Sequence, residues 1–235
     1  MPTHQALSGV SDEELVQRMV STHSERFGEA YWGLFTTHMA PVLPPRPAII
    51  DLGCGPGLWL RDLGERWPSA TLFGYDVTPA MITYGQRLVY QGAQPTLALH
   101  DVATQPLPHV TGTVHLVSMS SVLHVLDEPL PTLAEIRRVL APGGIFVLHD
   151  WIRQPLSTYL AWRRDGLGEA EADSLRRGFH LFPMHNKYTT DDWRWLLVRA
   201  GFAIQHEAQW RASHQIFVTT PAAGPQGIAT TATSG

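Results

Sequence analysis

This chain is poor in cysteine, in long apolar runs and in clustered charge. One cysteine, Cys54, stands among 235 residues. A lone thiol closes no internal disulfide, which fits a reducing compartment. No apolar run approaches the roughly 18 residues of a membrane helix, and no charged-then-apolar leader opens the chain. A cytoplasmic protein without a membrane partner is therefore expected. Lys and Arg number 17 against 21 Asp and Glu, a net charge of −4, and no basic run exceeds two residues. That excludes an obvious nucleic-acid face. No internal repeat is visible. With 44% hydrophobic residues the chain can bury one large core.

Against this plain background, Ala48-Ile49-Ile50-Asp51-Leu52-Gly53-Cys54-Gly55-Pro56-Gly57 stands out. The apolar run reads as a buried parallel strand, and the alternate glycines as a tight turn into a helix. Glycine lets backbone N–H groups approach a ligand and adopts positive φ. The acid at the strand end can hold a polar or cationic group. Such a turn at the C-terminal edge of a parallel sheet suits a nucleoside-bearing cofactor. A dinucleotide turn needs a third glycine three residues after the second; Gly57 follows Gly55 by two, and bulky Leu58 stands where the third would fall. A P-loop needs a Lys after its last glycine, and none follows Gly57. The remaining pattern, D-x-G-x-G-x-G, is by itself also compatible with a strand-turn-helix whose glycines serve packing.

The following residues repeat the theme. A helix is expected over 58–67, ended by Pro68, then a strand over 70–76 closing on Asp76. Asp76 lies 25 residues after Asp51, near the spacing at which a carboxylate accepts ribose hydroxyls. Thr78-Pro79 opens a helix over 80–91. Strands are expected at 96–101, 114–120 and 145–150, with a helix over 133–140 stopped by Pro142-Gly143-Gly144. Alternation of this kind predicts an α/β fold with a parallel sheet and helices on both faces. Asp51, Asp76, Asp101, Ser118 and Asp150 then fall toward one sheet edge.

Over roughly residues 45–220 the chain resembles the class I S-adenosylmethionine (SAM) methyltransferases, in their small-molecule branch. The resemblance rests on Asp51–Gly57, Asp76, His100-Asp101, Ser121–Asp127, Arg138–Gly144, and Tyr188–Trp193 leading to Ala200-Gly201-Phe202. It implies a Rossmann-like, doubly wound, mostly parallel seven-stranded sheet. Its last strand is antiparallel, in an edge hairpin of residues 202–210 and 214–220. It also implies SAM as cofactor. Asp51 and the loop of Gly53, Cys54, Gly55 and Gly57 would surround the methionine part. Asp76 would take the ribose hydroxyls, with Val77 on the adenine. Asp101 would meet the adenine amino group beside Val102, and Ser118 would lie near the sulfonium. The Asn/Asp-Pro-Pro-Tyr tetrapeptide of DNA and protein-glutamine methyltransferases is absent; Ser118-Met119-Ser120-Ser121 follows the fourth strand instead. Methyl transfer to an O, N or C nucleophile of a small, aromatic or apolar acceptor is thus expected, with a SAM-fold enzyme of non-methylating chemistry or a SAM-binding accessory subunit as the alternatives.

Methyl transfer from SAM is an in-line displacement, so the protein chiefly positions the acceptor. Many acceptors must also lose a proton to a base. Among twelve histidines, His124 just past the fourth strand is the first candidate, with His149 and Asp150 as an orienting pair or alternative base. His185 and Tyr188 are weaker ones. His149, Asp150, His180, His185, His206 and His214 could converge on a metal, but none has a strong ligand spacing, and no metal is expected.

Residues 1–45 read as an N-terminal helical cap after a loose start over 1–9. Ser11 and Glu14 form a capping box. Leu15, Met19, Phe27, Tyr31, Leu34 and Phe35 recur at helical spacing, and Pro41, Pro44, Pro45 and Pro47 stiffen the link to residue 46. Phe27, Tyr31 and Trp32 could line an acceptor site or simply pack. Residues 46–220 form the SAM-binding domain. Within it, 151–188 is a helical insertion or lid, with helices near 156–164 and 169–177. Trp151, Trp162, Phe179, His180, Phe182, Met184, His185 and Tyr188 could form a pocket for a flat or apolar acceptor or simply bury the insertion's helices on the core. Residues 221–235 read as a disordered tail. A homodimer is compatible with the pattern, which does not set the oligomeric state.

Overall fold

The computed structural model describes residues 11–164 and 171–223. The expected loose start at 1–9 and the tail beyond 223 lie outside them. Seven strands form one sheet in the order β3-β2-β1-β4-β5-β7-β6. They are β1 (Ala48–Leu52), β2 (Thr71–Asp76), β3 (Thr96–Leu99), β4 (Val114–Ser120), β5 (Leu140–Trp151), β6 (Phe202–Trp210) and β7 (His214–Pro221). β1 to β5 pair in parallel, and β7 runs antiparallel to both β5 and β6. Central strands shielded on both faces are apolar almost throughout, as in the fully buried Ile49-Ile50 pair. The order reverses between β1 and β4, which opens a crevice at the C-terminal strand ends.

Helices cover both faces. They are α1 (Asp12–Ser21), α2 (His23–Arg26), α3 (Glu29–His38), α4 (Leu58–Arg66), α5 (Pro79–Gln86), α6 (Pro129–Val139), α7 (Leu156–Arg164), α8 (Glu171–His185) and α9 (Thr190–Arg199). One core layer joins Leu133, Ile136, Trp193 and Leu197 to Phe146 and Phe217. The other joins Tyr31, Phe35 and Met39 of the cap to Trp59, Leu60 and Ile49. The expected capping box closes α1: Glu14 N donates to Ser11 Oγ, and Ser11 N donates to Glu14 Oε2. A second one, between Thr189 and Asp192, starts α9.

Several boundaries move for local reasons. The helix expected over 80–91 ends at Gln86. Gly92 then docks on α4, where an added Cβ would lie 2.0 Å from Gly64 O, and Ala93 N donates to Gly64 O. α6 starts at Pro129 rather than residue 133, its first turn set by a proline that needs no N–H partner. Pro142-Gly143-Gly144 does not separate helix from strand. It forms an irregularity within β5, with Gly143 at φ 76 and a register shift against β4 between Val114 and Leu116. α8 continues past residue 177 and through Pro183 to His185; Asn186 N then donates to Phe182 O and closes the last turn. Pro221, expected in the tail, completes β7.

Candidate functional site

A cavity of about 500 Å³ lies over the C-terminal ends of β1, β2 and β4, within the usual size of small-ligand sites. Its floor is the glycine turn. Gly53, Gly55 and Gly57 adopt φ of 71°, 52° and 75°, left-handed values that explain the alternate glycines. A Cβ on Gly53 would fall 2.2 Å from Val122 Cγ2, whereas one on Gly55 would meet only Met81 Sδ at 4.0 Å. Gly55 thus presents bare backbone to open space. Asp76 braces the turn: Gly55 N donates to its Oδ2 and Thr78 N to its Oδ1, each at 2.9 Å. Burial raises the Asp76 carboxyl above its usual range, opposed by these hydrogen bonds.

Asp51 also faces the cavity. Burial pushes its pKa up to about 8, against a hydrogen bond from Ser118, its register partner on β4. Cys54 is a buried thiol, raised by the same desolvation, inside the turn. Asp101 lies two residues past the end of β3, where it accepts from Ala103 N at 3.0 Å, and Val102 lies beside it. Asp51, Gly53, Cys54, Gly55, Asp76, Val77, Asp101 and Val102 therefore all line the cavity. Two expected members do not. Gly57 sits behind the loop as the N-cap of α4, and Ser118 is a buried mid-strand residue beneath Asp51. The strand continues two residues past Ser118, so Ser120 and Ser121 reach the cavity in its place.

The candidate acid–base residues lie one layer deeper than expected. His124 is 1% exposed in a 3-10 turn, Leu123–Val125, that rolls its ring inward. Its Nδ1 lies 2.7 Å from Asp150 Oδ1, an oblique approach, and its backbone N donates to Asp150 Oδ2 at 3.2 Å. Its Nε2 has no hydrogen-bond partner among the described residues. Trp151 N donates to Asp150 Oδ1, so the carboxylate is held from both sides. His185 stands between His124 and the cavity, 5.4 Å from the His124 ring and stacked on Trp151 at 4.0 Å. His149 is buried below Ser120, whose Oγ lies 3.3 Å from its Nδ1. Desolvation drives its pKa down to about 3, so the imidazole is neutral near pH 7 and a weak base, and it is not among the residues that line the cavity.

Of the expected acceptor residues, Trp151 and His185 line the cavity and Tyr31, Trp32 and Tyr188 do not. Tyr31 and Trp32 face the sheet because α3 turns its whole aromatic face into the core. Tyr188 packs on Trp193, with ring centres 4.4 Å apart. Trp162 lies outside the residues whose side chains are described. Among the described residues no trio of His, Cys, Asp or Glu converges on a metal position; His206 stacks with His38 on the far edge.

Residues not foreseen complete the wall. Met19, Arg18, Thr22 and Arg26 come from α1 and α2, and Arg211 and His214 from the β6–β7 turn and β7. The spacing of Arg18, Thr22 and Arg26, every fourth residue beside the Leu15–Met19 stripe, was the available signal. His214 has its Nδ1 2.8 Å from Ser213 Oγ, and burial holds its pKa well down.

Residues 49–144 match the methyltransferase domain family. The chain is 33% identical over 108 residues to the malonyl-[acyl-carrier protein] O-methyltransferase of Hahella chejuensis, covering 46% of this chain and 38% of that one. Over 113 residues it is 33% identical to a trans-aconitate 2-methyltransferase of Pseudomonas aeruginosa, covering 48% and 38%. It thus spans well under half the length of these relatives. The solved structure of a SAM-dependent methyltransferase from Aquifex aeolicus superposes with a TM-score of 0.65 at 15% identity, covering 91% of this chain and all of that one. At that identity the likeness speaks to the fold. No helix among the described residues is long and apolar enough to cross a membrane.

Proposed function

The chain belongs to the class I SAM-dependent methyltransferases, and we propose that it moves the methyl group of SAM to an O, N or C nucleophile of a small aromatic or apolar metabolite. The observation that carries this reading is one continuous cavity with two kinds of wall. One wall is the glycine turn with Asp51, Asp76 and Asp101; the other is Phe27, Trp151, Leu181, Met184, His185 and His214. When bound, SAM supplies a methyl already activated by its positive sulfur. The chain's own residues then hold and orient. Asp76 and Asp101 take polar groups of the nucleoside, the open face of Gly55 admits the cofactor, and the aromatic wall flattens the acceptor against it. His124, held by Asp150, is the proton acceptor in this reading. Residues 1–45 act as a cap and 151–188 as a lid. Of the two relatives, one is named for a free small acceptor, trans-aconitate, and the other for a malonyl group carried on a protein, so the name of the first supports a metabolite. The test is calorimetry with SAM and S-adenosylhomocysteine (SAH), then a screen of metabolite extracts with methyl-labelled SAM. Absence of SAM binding, or label only in protein or nucleic acid, would defeat the proposal.

Two expected results follow from the geometry. Gly55→Val is expected to abolish detectable SAH binding while circular dichroism stays that of the wild type. Its branched side chain enters open cavity, and its φ of 52° adds strain of about 1–2 kcal/mol. Unchanged affinity would remove the turn from the cofactor site.

The second concerns Asp51. In the ligand-free chain its pKa of about 8 lies above the ordinary 3.8. The folded state therefore keeps a proton that the unfolded chain has lost. This stabilising contribution is complete below pH 4 and disappears as pH rises to about 8. Asp51→Asn should thus melt higher than the wild type at pH 8, by about 1–3 kcal/mol of stability, with the gap closing toward pH 5. Because a cationic ligand needs the ionised carboxylate, wild-type SAM affinity should rise between pH 6 and 8 with release of a proton. Calorimetry in buffers of different ionisation enthalpy measures that proton, and Asp51→Asn should abolish it.

A further inference from the structure

Arg26 is a charged group with no ion pair to a described residue. It closes the four-residue helix α2 and lines the cavity. Its Nη2 donates to Met19 O at 3.0 Å and reaches Thr22 Oγ1 at 3.5 Å, and its Nη1 meets only the Met19 sulfur at 3.4 Å. Its Nε is shut from solvent with no hydrogen-bond partner among the described residues, while the residue as a whole is half-buried. No carboxylate of a described residue lies within ion-pair distance of it. Neighbouring Glu25 acts on Arg26 electrostatically, but its carboxylate pairs at close range with Arg211, Oε2 lying 3.4 Å from Nη1. Asp51 is near enough to act on Arg26 electrostatically, but its raised pKa leaves it protonated near neutrality. Desolvation lowers the guanidinium to about 10, so it stays charged at neutral pH. Enclosed charges in proteins are normally paired, because leaving water without a counter-charge is costly. The fork of an arginine matches a carboxylate, and here part of that fork is unused on a cavity wall.

We propose that Arg26 is the receptor for a carboxylate that enters this cavity. The inference rests on the cavity being the cofactor and acceptor site. Two carboxylates fit the chemistry: that of the cofactor's amino-acid portion, and one carried by the acceptor. In either case the guanidinium gains its missing counter-charge only when the site is filled. Arg26 is then a binding residue on the cap, and α2 is ordered against the ligand as well as against α1.

The experiment compares wild type with Arg26→Met and Arg26→Lys. In ligand-free protein, Arg26→Met is expected to melt at or above the wild-type temperature, since it removes an unpaired charge. A marked fall would assign Arg26 to structure and overturn the proposal. Calorimetry then uses SAH and 5′-methylthioadenosine, which lacks the amino-acid portion. It also uses benzoate, phenylacetate and hexanoate against their amides, with and without SAH. If the cofactor is the source, Arg26→Met weakens SAH by at least about tenfold and leaves 5′-methylthioadenosine unchanged. If the acceptor is the source, SAH is unchanged and the preference for carboxylates over amides disappears. Arg26→Lys recovers part of whichever effect is seen. Equal weakening of SAH and 5′-methylthioadenosine overturns the proposal, as does the lack of any carboxylate effect in both proteins. A wild type that binds no SAH defeats the methyltransferase reading instead, while the carboxylates tested alone still decide on Arg26.

Discussion

Asp76→Ala is expected to weaken SAH binding by about 100-fold or more, two charge-assisted hydrogen bonds being worth about 3 kcal/mol together. The carboxylate has two tasks at once. In the ligand-free chain it accepts from Gly55 N and Thr78 N, which ties the glycine turn to the start of α5. It also lines the cavity at the end of β2, where in the proposed reading its remaining lone pairs would meet the nucleoside. Alanine leaves both N–H groups without their acceptor and lets the turn relax, so geometry and contact are lost together. Asp76→Asn separates the two tasks. Its amide oxygen keeps one backbone partner but its NH₂ group repels the other, so an intermediate loss of about tenfold is expected. Calorimetry measures both, with thermal melting to show that the sheet persists. An Asp76→Ala protein within threefold of wild type would show that β2 does not hold the ribose.

The frame around that carboxylate was legible in the chain because each strand end carries its own marker. Asp51 before Gly53, Asp76 before Thr78-Pro79, and Asp101 after an apolar run all lie where the sheet edge exposes them. Backbone demands imposed those residues, so their types could be read directly. Ser118 lies two residues before the end of its strand, as the expected bounds of 114–120 already placed it, so its side chain shares a face with Ser120 but sits back from the edge. His124 shows a related limit. Position in sequence brought it to the right corner, but the 3-10 turn chose which way its ring faced. Tyr31 and Trp32 illustrate a different limit. An aromatic stripe on a cap helix reads the same whether it faces a ligand or the sheet, and here burial of Phe35 and Met39 fixed it to the sheet. The cap nevertheless contributes to the cavity through Met19, Thr22 and Arg26, polar and flexible positions that resemble ordinary surface in a one-dimensional reading. The helix boundary at Gln86 was likewise set by a distant contact, Gly92 on Gly64, which no local propensity encodes.

His124→Ala is expected to lower turnover by about 10²- to 10³-fold, the range of general-base catalysis, while SAH affinity stays within about twofold. Asp150 presents its carboxylate to Nδ1. The carboxylate lies close to Nδ1, outside hydrogen-bond geometry, and its charge favours the proton on that nitrogen, which leaves the Nε2 lone pair as the basic site with no partner among the described residues. A buried imidazole with one nitrogen held and the other unspent is arranged to take a proton from something that reaches it. What separates it from the cavity is the His185–Trp151 stack. Access therefore depends on the acceptor displacing or extending through that pair, or on relay through the His185 ring. Asp150→Asn tests the same assignment without removing the base. It keeps the volume but loses the charge that sets the tautomer, and should cost nearly as much as His124→Ala. If the two act as a unit, the double variant is no slower than the worse single one. His185→Ala distinguishes the routes. A loss equal to that of His124→Ala identifies a relay, whereas a rise in KM with kcat retained identifies a wall that merely orients the acceptor. The measurements use the acceptor found with methyl-labelled SAM, across pH 6 to 9. Full turnover in His124→Ala would move the proton-accepting role to the groups that touch the cavity directly, His185 and His214.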